Sequence, residues 1–374
     1  MSSPTLFLSA GDPSGDNASA RLVDELARRM PGLAVFGLGG PGLRQRGQEQ
    51  LALPADLAVL GFWEVAKRFR FFQKLMACCV SEIRTRRPDC VILVDYPGFN
   101  LRLAKRIRTL GIPVIYYISP QIWAWGHRRL PLIRQCVDLM LLILPFEQRF
   151  YANTGVNSKF VGHYLLEDIP AEYISSRPPV DGTLALLPGS RRQEVERMLP
   201  VMLKTAQKFK ERHGTRAVVA AAGNGYDYDA ALSDFQSEDV ELVYDDARRV
   251  IHQSTLVLSA SGTATLEAAI IGRPMVVVYK TGNITYQIAR RLIKIDKIAL
   301  VNLVLNDKVA PELIQHDATP EKMLAALSQL YTDEERYDAT CLRFNEAPGL
   351  LGGTGASARA ASMIHELLEK PGGR

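Results

Sequence analysis

Leu184-Ala185-Leu186-Leu187-Pro188-Gly189-Ser190-Arg191-Arg192 and, later in the chain, Leu256-Val257-Leu258-Ser259-Ala260-Ser261-Gly262-Thr263-Ala264-Thr265-Leu266-Glu267 share one pattern. Each is an apolar run that predicts a buried strand, then a glycine-bearing turn, then the opening of a helix. A helix N-terminus has unpaired N–H groups and the positive end of the peptide dipoles, so it holds anions. Glycine lets the backbone approach a ligand, and Ser or Thr either caps the helix or meets a phosphate oxygen. Two such junctions in one half of a chain suit a diphosphate-containing ligand, such as a nucleotide sugar.

The same alternation extends in both directions. Residues 6–9, 35–38, 90–94, 114–118 and 139–143 are predicted strands. Helices fall at 17–29, with Asp16 as candidate cap, and at 80–87 (its last turns), 101–110 and 129–136. Downstream, 184–187, 217–222, 240–243, 256–259 and 275–278 form a second strand series, and 355–370 is a final helix. Strands alternating with helices imply parallel sheets covered on both faces, with ligands beyond the carboxyl ends of the strands. The proline-rich, non-periodic stretch 167–182 is the expected linker. The predicted fold class is therefore α/β, with two Rossmann-like domains facing a cleft, the arrangement called GT-B in glycosyltransferases. The expected division is 1–168, 169–345 and a C-terminal helix in 346–374 that packs back towards the first domain.

Composition narrows the classes. The chain has 374 residues, 47% hydrophobic and 23% charged, as in a water-soluble globular protein. No apolar run approaches the roughly 20 residues of a membrane span. The first residues lack a basic n-region and reach polar Gly11-Asp12 at once, so they read as a strand and not as a signal peptide. Five cysteines without CxxC spacing read as reduced thiols, and six scattered histidines give no zinc pattern. Residues 1–168 carry 21 Lys and Arg against 14 Asp and Glu, and the remainder 24 against 26. A basic first half fits an anionic partner, namely nucleic acid, anionic lipid or a phosphorylated substrate.

Several stretches carry candidate chemistry. Gly11, Asp12, Ser14, Gly15 and Asp16 join the first strand to the first helix, without a GxGxxG fingerprint. Asp95 follows a buried strand, where desolvation suits a carboxylate to general-base work on a sugar hydroxyl. Trp123 and Trp125 flank a loop and offer either a sugar platform or plain packing. Phe62, Val65, Phe69, Phe72 and Met76 form one helical stripe, with Trp63 and Phe71 off it and Lys67, Arg68, Arg70 and Lys74 alongside. Aromatic residues interleaved with cations fit an interfacial helix on anionic lipid. No RNP or helix-turn-helix signature supports nucleic acid. In the second half, Arg191 is placed to neutralise a diphosphate, and Glu267 to accept from ribose hydroxyls.

This ordered set, from Ala10 to Asp16 through Gly61, Glu64-Val65, Asp95 to Asn100, Ser119 to Trp125, Leu144-Pro145-Phe146-Glu147, Gly162-His163, Leu186 to Arg191, Ser259 to Glu267 and Asn302, resembles the lipid-A-disaccharide synthases. The resemblance spans nearly the whole chain. It implies an inverting hexosyltransferase that moves 2,3-diacylglucosamine from its UDP ester to 2,3-diacylglucosamine 1-phosphate, with no cofactor and no metal. It also implies a cytoplasmic enzyme held peripherally on the inner face of the inner membrane, and it leaves room for an oligomer. By the same resemblance Asp95 is the base, Asp12 joins it, and Arg191 serves the leaving group. Gly189, Ser190, Ser261, Gly262, Thr263, Glu267 and Asn302 line the UDP-sugar, and Phe62 to Phe72 meet the membrane. Three positions depart from the family pattern: Asp12 where glutamate is usual, Gly98 where a second aspartate can occur, and Tyr164 where a smaller residue is usual. The alternatives are another UDP-sugar enzyme of this fold and a non-catalytic UDP- or lipid-binding paralogue.

Overall fold

A computed structural model describes residues 3–52, 69–175, 178–179, 183–223, 225–235, 239–282, 286 and 297–369. The chain divides into two compact units, Met1–Tyr164 with Gly352–Arg374, and Leu165–Leu351. In the first unit the strands are β1 (Thr5–Ala10), β2 (Ala34–Leu38), β3 (Glu49–Gln50), β4 (Cys90–Val94), β5 (Val114–Tyr117), β6 (Leu139–Leu142) and β7 (Ser158–Phe160). They form one parallel sheet in the order β3-β2-β1-β4-β5-β6-β7. In the second unit β8 (Leu184–Leu187), β9 (Ala217–Ala221), β10 (Val240–Tyr244), β11 (Leu256–Ala260), β12 (Met275–Tyr279) and β13 (Glu312–Ile314) pair as β10-β9-β8-β11-β12-β13, again all parallel. Each sheet reverses its strand order once, at β1/β4 and at β8/β11. A crevice opens at such a reversal because the flanking connections leave on opposite faces.

The central strands are buried along their whole length, as a parallel sheet covered on both faces requires. That double burial is why they appear in the sequence as unbroken apolar runs. The strands that had no such signal are the edges β3, β7 and β13, whose residues are exposed or half-buried.

The first helix differs from expectation. It begins at Pro13 with Asp12 as its cap, and Asp16 is not the cap but a buried residue of the first turn. Proline at the first helical position costs no hydrogen bond, which moves the start upstream. The expected linker also begins as ordered structure. Ser175 N–H donates to Ile270 O at 2.9 Å, and Tyr173 stacks on His252 at 3.9 Å, both within the second unit. At the other end of the chain, the helix Ala356–Glu369 packs on the helix Pro13–Arg29 through a face of Ala356, Ala360, Ala361 and Ile364. The small side chains allow close approach of the two helices. Arg359 secures the turn before it by donating to Val161 O at 2.7 Å and Gly352 O at 2.9 Å.

Candidate active site

At the first reversal point, β1 and β4 run side by side with Ala10 opposite Val94, so the residues that follow them emerge together. These are Gly11-Asp12 and Asp95-Tyr96. The Tyr96 ring lies against Gly11, where any Cβ would collide with it. Burial raises the Tyr96 phenol, and the nearby Asp12 carboxylate adds to the effect. Asp12 Oδ1 accepts from Gly15 N–H at 2.6 Å and from the Ser14 hydroxyl at 3.2 Å. A carboxylate thus fills the helix N-terminus of the first unit, and that junction is not left open for a phosphate.

The backbone around Asp95 is under tension. Asp95 (φ 42°), Tyr96 (φ 46°) and, on the adjoining strand end, Ile118 (φ 64°) all adopt left-handed conformations. Each such residue costs about 1–3 kcal/mol and persists only where its surroundings enforce it. Tyr116 Oη donates to Asp95 O at 2.6 Å, and Asn100 Nδ2 donates to Asp95 O at 2.9 Å and to Val94 O at 3.1 Å. The Ser9 hydroxyl donates to Asn100 Oδ1 at 2.8 Å, which ties β1 into the same clamp. Ser9, Asn100 and Tyr116 are buried around this carbonyl. Asn100 closes the Asp95 to Asn100 stretch of the family pattern, whereas the only sequence signal of Ser9 and Tyr116 is polarity inside apolar strands. Gly98 is exposed with open space around it, so the aspartate of the family pattern has room there.

Two expected loop residues turn out to be structural. The Asp16 carboxylate accepts N–H from Gly40 at 2.7 Å, Gly42 at 2.7 Å and Leu43 at 3.2 Å, and it is 3% exposed. It shapes the turn after β2. Trp123 is half-buried, edge-on to Phe146 at 4.7 Å, while Trp125 is the exposed tryptophan of this loop at 45%.

Beneath the same loop lies Glu147, unassigned by the sequence beyond its place in a family motif. Its carboxylate accepts from Leu144 N–H at 3.1 Å, and burial pushes it up to about 8 against the pull of surrounding N–H and O–H groups. The Trp123 indole N–H faces this carboxyl without closing a hydrogen bond of normal geometry. Nearby, Ser119 Oγ and Tyr151 Oη share a hydrogen bond of 2.8 Å. His163 is the opposite case, with burial pressing its imidazole down to about 3.

These shifts make a pH prediction. Between about 4.5 and 8 the folded state holds more protons on Glu147 than the unfolded state does, so this group makes stability fall as pH rises. Between about 3 and 6.5 the unfolded state holds more protons on His163, so that group makes stability rise with pH. Only the Glu147 slope survives above pH 6.5, at most about 1.4 kcal/mol per pH unit. Glu147→Gln is expected to flatten the loss of stability between pH 6.5 and 8 in urea titrations. An unchanged slope in the variant would assign it to other groups.

The second reversal point carries the two loops of the nucleotide-type pattern, with Leu187 opposite Ser259. Gly189 has φ 109°, and a Cβ there would meet the Glu194 side chain. The helix Arg192–His213 follows Arg191, and the helix Ala264–Ile271 follows Thr263. Neither N-terminus has the side-chain cap that Asp12 supplies to the first helix. Ser190 and Thr263 are exposed, Gly189, Ser261 and Gly262 half-buried, and the Ser261 hydroxyl donates to Ile298 O at 3.1 Å. Arg191 is 56% exposed and pairs with Glu194 at 3.2 Å.

Glu267 is not a bare acceptor. Arg248 Nε donates to its Oε1 at 2.8 Å, and Arg248 Nη1 donates to Asp168 O at 2.8 Å. Arg248 has no motif and was missed in the sequence. Asn302 is buried with its amide fully engaged: Nδ2 donates to Ala310 O and Glu312 Oε1 at 2.8 Å each, and Oδ1 accepts from Ala310 N–H at 2.9 Å. Glu312 in turn accepts from Ile298 and Ala299 N–H at 2.9 and 3.0 Å. Asn302 thus ties the 298–312 segment, from which Ser261 takes its acceptor Ile298 O, into one network. Among the described residues no group of three or more His, Cys, Asp or Glu is arranged for a metal ion.

Of the aromatic-basic stretch, Phe62, Trp63, Val65, Lys67 and Arg68 lie outside the described residues. The helix Phe69–Arg86 carries the rest. Phe71 and Phe72 pack half-buried against the first unit's core, and Met76 is 5% exposed within it, whereas Arg70 and Lys74 are exposed. The stripe over its described part is thus a core face with a basic outer side.

Known proteins match this arrangement. A family model described as lipid-A-disaccharide synthetase matches residues 6–348. A lipid-A-disaccharide synthase of Anaeromyxobacter dehalogenans (strain 2CP-C) is 41% identical over 368 residues, covering 96% of each chain. One of Myxococcus xanthus (strain DK1622) is 39% identical over 384 residues, covering 99% of each. The crystal structure of CalG4, a calicheamicin glycosyltransferase, superposes with a TM-score of 0.65 at 15% identity over 100% of both chains, a likeness of fold. With twin parallel sheets, open helix starts in the second unit and a relationship along nearly its full length, the chain belongs to the lipid-A-disaccharide synthase family, hexosyltransferases of GT-B architecture.

Proposed function

We propose that the protein transfers 2,3-diacylglucosamine from UDP-2,3-diacylglucosamine to 2,3-diacylglucosamine 1-phosphate, giving a β-1,6-linked tetraacyl disaccharide 1-phosphate and UDP. In one displacement the acceptor 6-oxygen bonds to the donor C1 as the C1–O bond to the diphosphate breaks, with inversion. The hydroxyl proton passes to Asp95. The observation that carries this reading is the strained, doubly clamped Asp95 at the β1/β4 reversal, beside Asp12. Strain of this kind clusters where a side chain must be aimed. The uncapped helix starts at Arg191 and Thr263 support a diphosphate on the second unit, and Arg191 adds a charge that strengthens as the leaving group departs. Glu267, oriented by Arg248, supports ribose recognition. Both substrates are acylated, which puts the reaction at an anionic membrane surface, the inner face of the inner membrane. Phe62, Trp63, Lys67 and Arg68 are the residues proposed to meet it.

The test is incubation of purified protein with both substrates in detergent, with UDP and disaccharide followed by mass spectrometry. Acceptor-dependent disaccharide is the expected result, and UDP binding without product would favour a binding-only paralogue. Arg191→Ala should lower kcat about 10²-fold or more. It should leave the melting temperature within a degree or two, because an exposed pair with Glu194 contributes no more than about 1 kcal/mol. Full activity in that variant would remove Arg191 from leaving-group stabilisation.

A further inference from the structure

Donor and acceptor in this reaction carry the same diacylated sugar, and they differ at C1, which bears UDP in one and a phosphomonoester in the other. Selection of the acceptor needs a group that reads the phosphomonoester near the base. Arg129 lies in the segment that follows β5, the strand paired with the one that leads into Asp95. It ends the turn His127–Arg129, which follows the Trp125 loop beyond β5. Its guanidinium sits 5.0 Å over the Trp125 ring. In this unit Arg29, Arg46 and Arg86 are paired with carboxylates, and Arg359 is spent on backbone carbonyls. Among the described residues no carboxylate pairs with Arg129 or with its exposed neighbour Arg128. The Tyr116 hydroxyl, which donates to Asp95 O, lies within electrostatic range of both the Asp95 carboxylate and the Arg129 guanidinium.

We infer that Arg129, backed by the Trp125 ring, binds the phosphomonoester of the acceptor and so makes the enzyme select a sugar 1-phosphate as its nucleophile. The inference rests on the reaction proposed above. A guanidinium presents two parallel N–H groups to two phosphate oxygens, and stacking on an aromatic face fixes that fork. The exposed remainder of Trp125 offers an apolar surface to the sugar or its first acyl carbons. Arg128 adds charge without an aromatic backing, so it attracts the same anion with less direction.

The experiment compares 2,3-diacylglucosamine 1-phosphate with the same lipid lacking the phosphate, in turnover and in binding read by tryptophan fluorescence. The wild type should favour the phosphorylated lipid. Arg129→Ala should raise KM and Kd for it by roughly 10- to 100-fold, so that the preference falls towards one. Arg129→Lys, which keeps the charge and loses the fork, should fall between. Arg212→Ala, an equal loss of charge on an exposed helix turn of the second unit, should leave the preference intact. An unchanged preference in a folded Arg129→Ala protein overturns the inference. So does a variant that loses only binding to phosphatidylglycerol vesicles, which would make Arg129 a contact for lipid headgroups. If no disaccharide forms with either lipid but phosphate-dependent binding still requires Arg129, the reaction reading fails and the anion site stands.

Discussion

Asp95→Asn is expected to lower kcat by about 10²–10⁴-fold, the usual contribution of a positioned general base, and to leave UDP binding and the melting temperature close to wild type. Asparagine is the informative replacement because Asp95 has φ 42°. Asn tolerates left-handed backbone at least as well as Asp, so the Tyr116 and Asn100 bonds to the carbonyl of this residue should persist. Alanine would add backbone strain to the loss of the base and blur the result. The checks are disaccharide formation under single-turnover conditions, calorimetric UDP binding and circular dichroism. Turnover within a few-fold of wild type would move the base to a neighbour, and Asp12, at the end of the paired strand, is the first to examine.

Asp16→Ala has the largest effect on folding. Three backbone N–H groups of the turn after β2 donate to this carboxylate, at 2.7, 2.7 and 3.2 Å. Removing it leaves them without partners in a largely buried setting, at a cost on the order of 3–5 kcal/mol. The urea midpoint of the transition that includes the first unit should fall accordingly, and residual activity should follow the folded fraction. Asp16→Asn retains one strong acceptor and should lie between. A stable but inactive Asp16→Ala protein would give Asp16 a role at the substrate instead.

The contrast between these two aspartates marks the limit of sequence reading. Asp12, Asp16 and Asp95 look alike as acidic residues beside strand ends. One caps a helix, one fastens a neighbouring turn, and one sits on strained backbone at the sheet's reversal point. Asn302 shows the same limit: its motif position is recognisable, but its amide is spent on Ala310 and Glu312. Arg248 and Tyr116 had no local pattern, because their partners are distant in the chain. The short edge strands β3, β7 and β13 were silent because an edge buries too little to demand an apolar run.

What the sequence determined alone was the pair of parallel α/β sheets, the two strand–turn–helix junctions of the second unit and the place of Asp95 after its strand. Those follow from local signals: strands buried on both faces must be apolar, and a tight turn into a helix needs glycine and small polar residues. Tertiary structure decided which polar groups face outward and which are consumed inside. It capped the first helix with Asp12 while leaving the helix starts after Arg191 and Thr263 uncapped. It also turned Phe71 and Phe72 towards the core and left Trp125 exposed beneath Arg129. The physical reason is that a polar side chain's role depends on whether partners far away in sequence satisfy its hydrogen bonds, and only the folded chain brings those partners within reach.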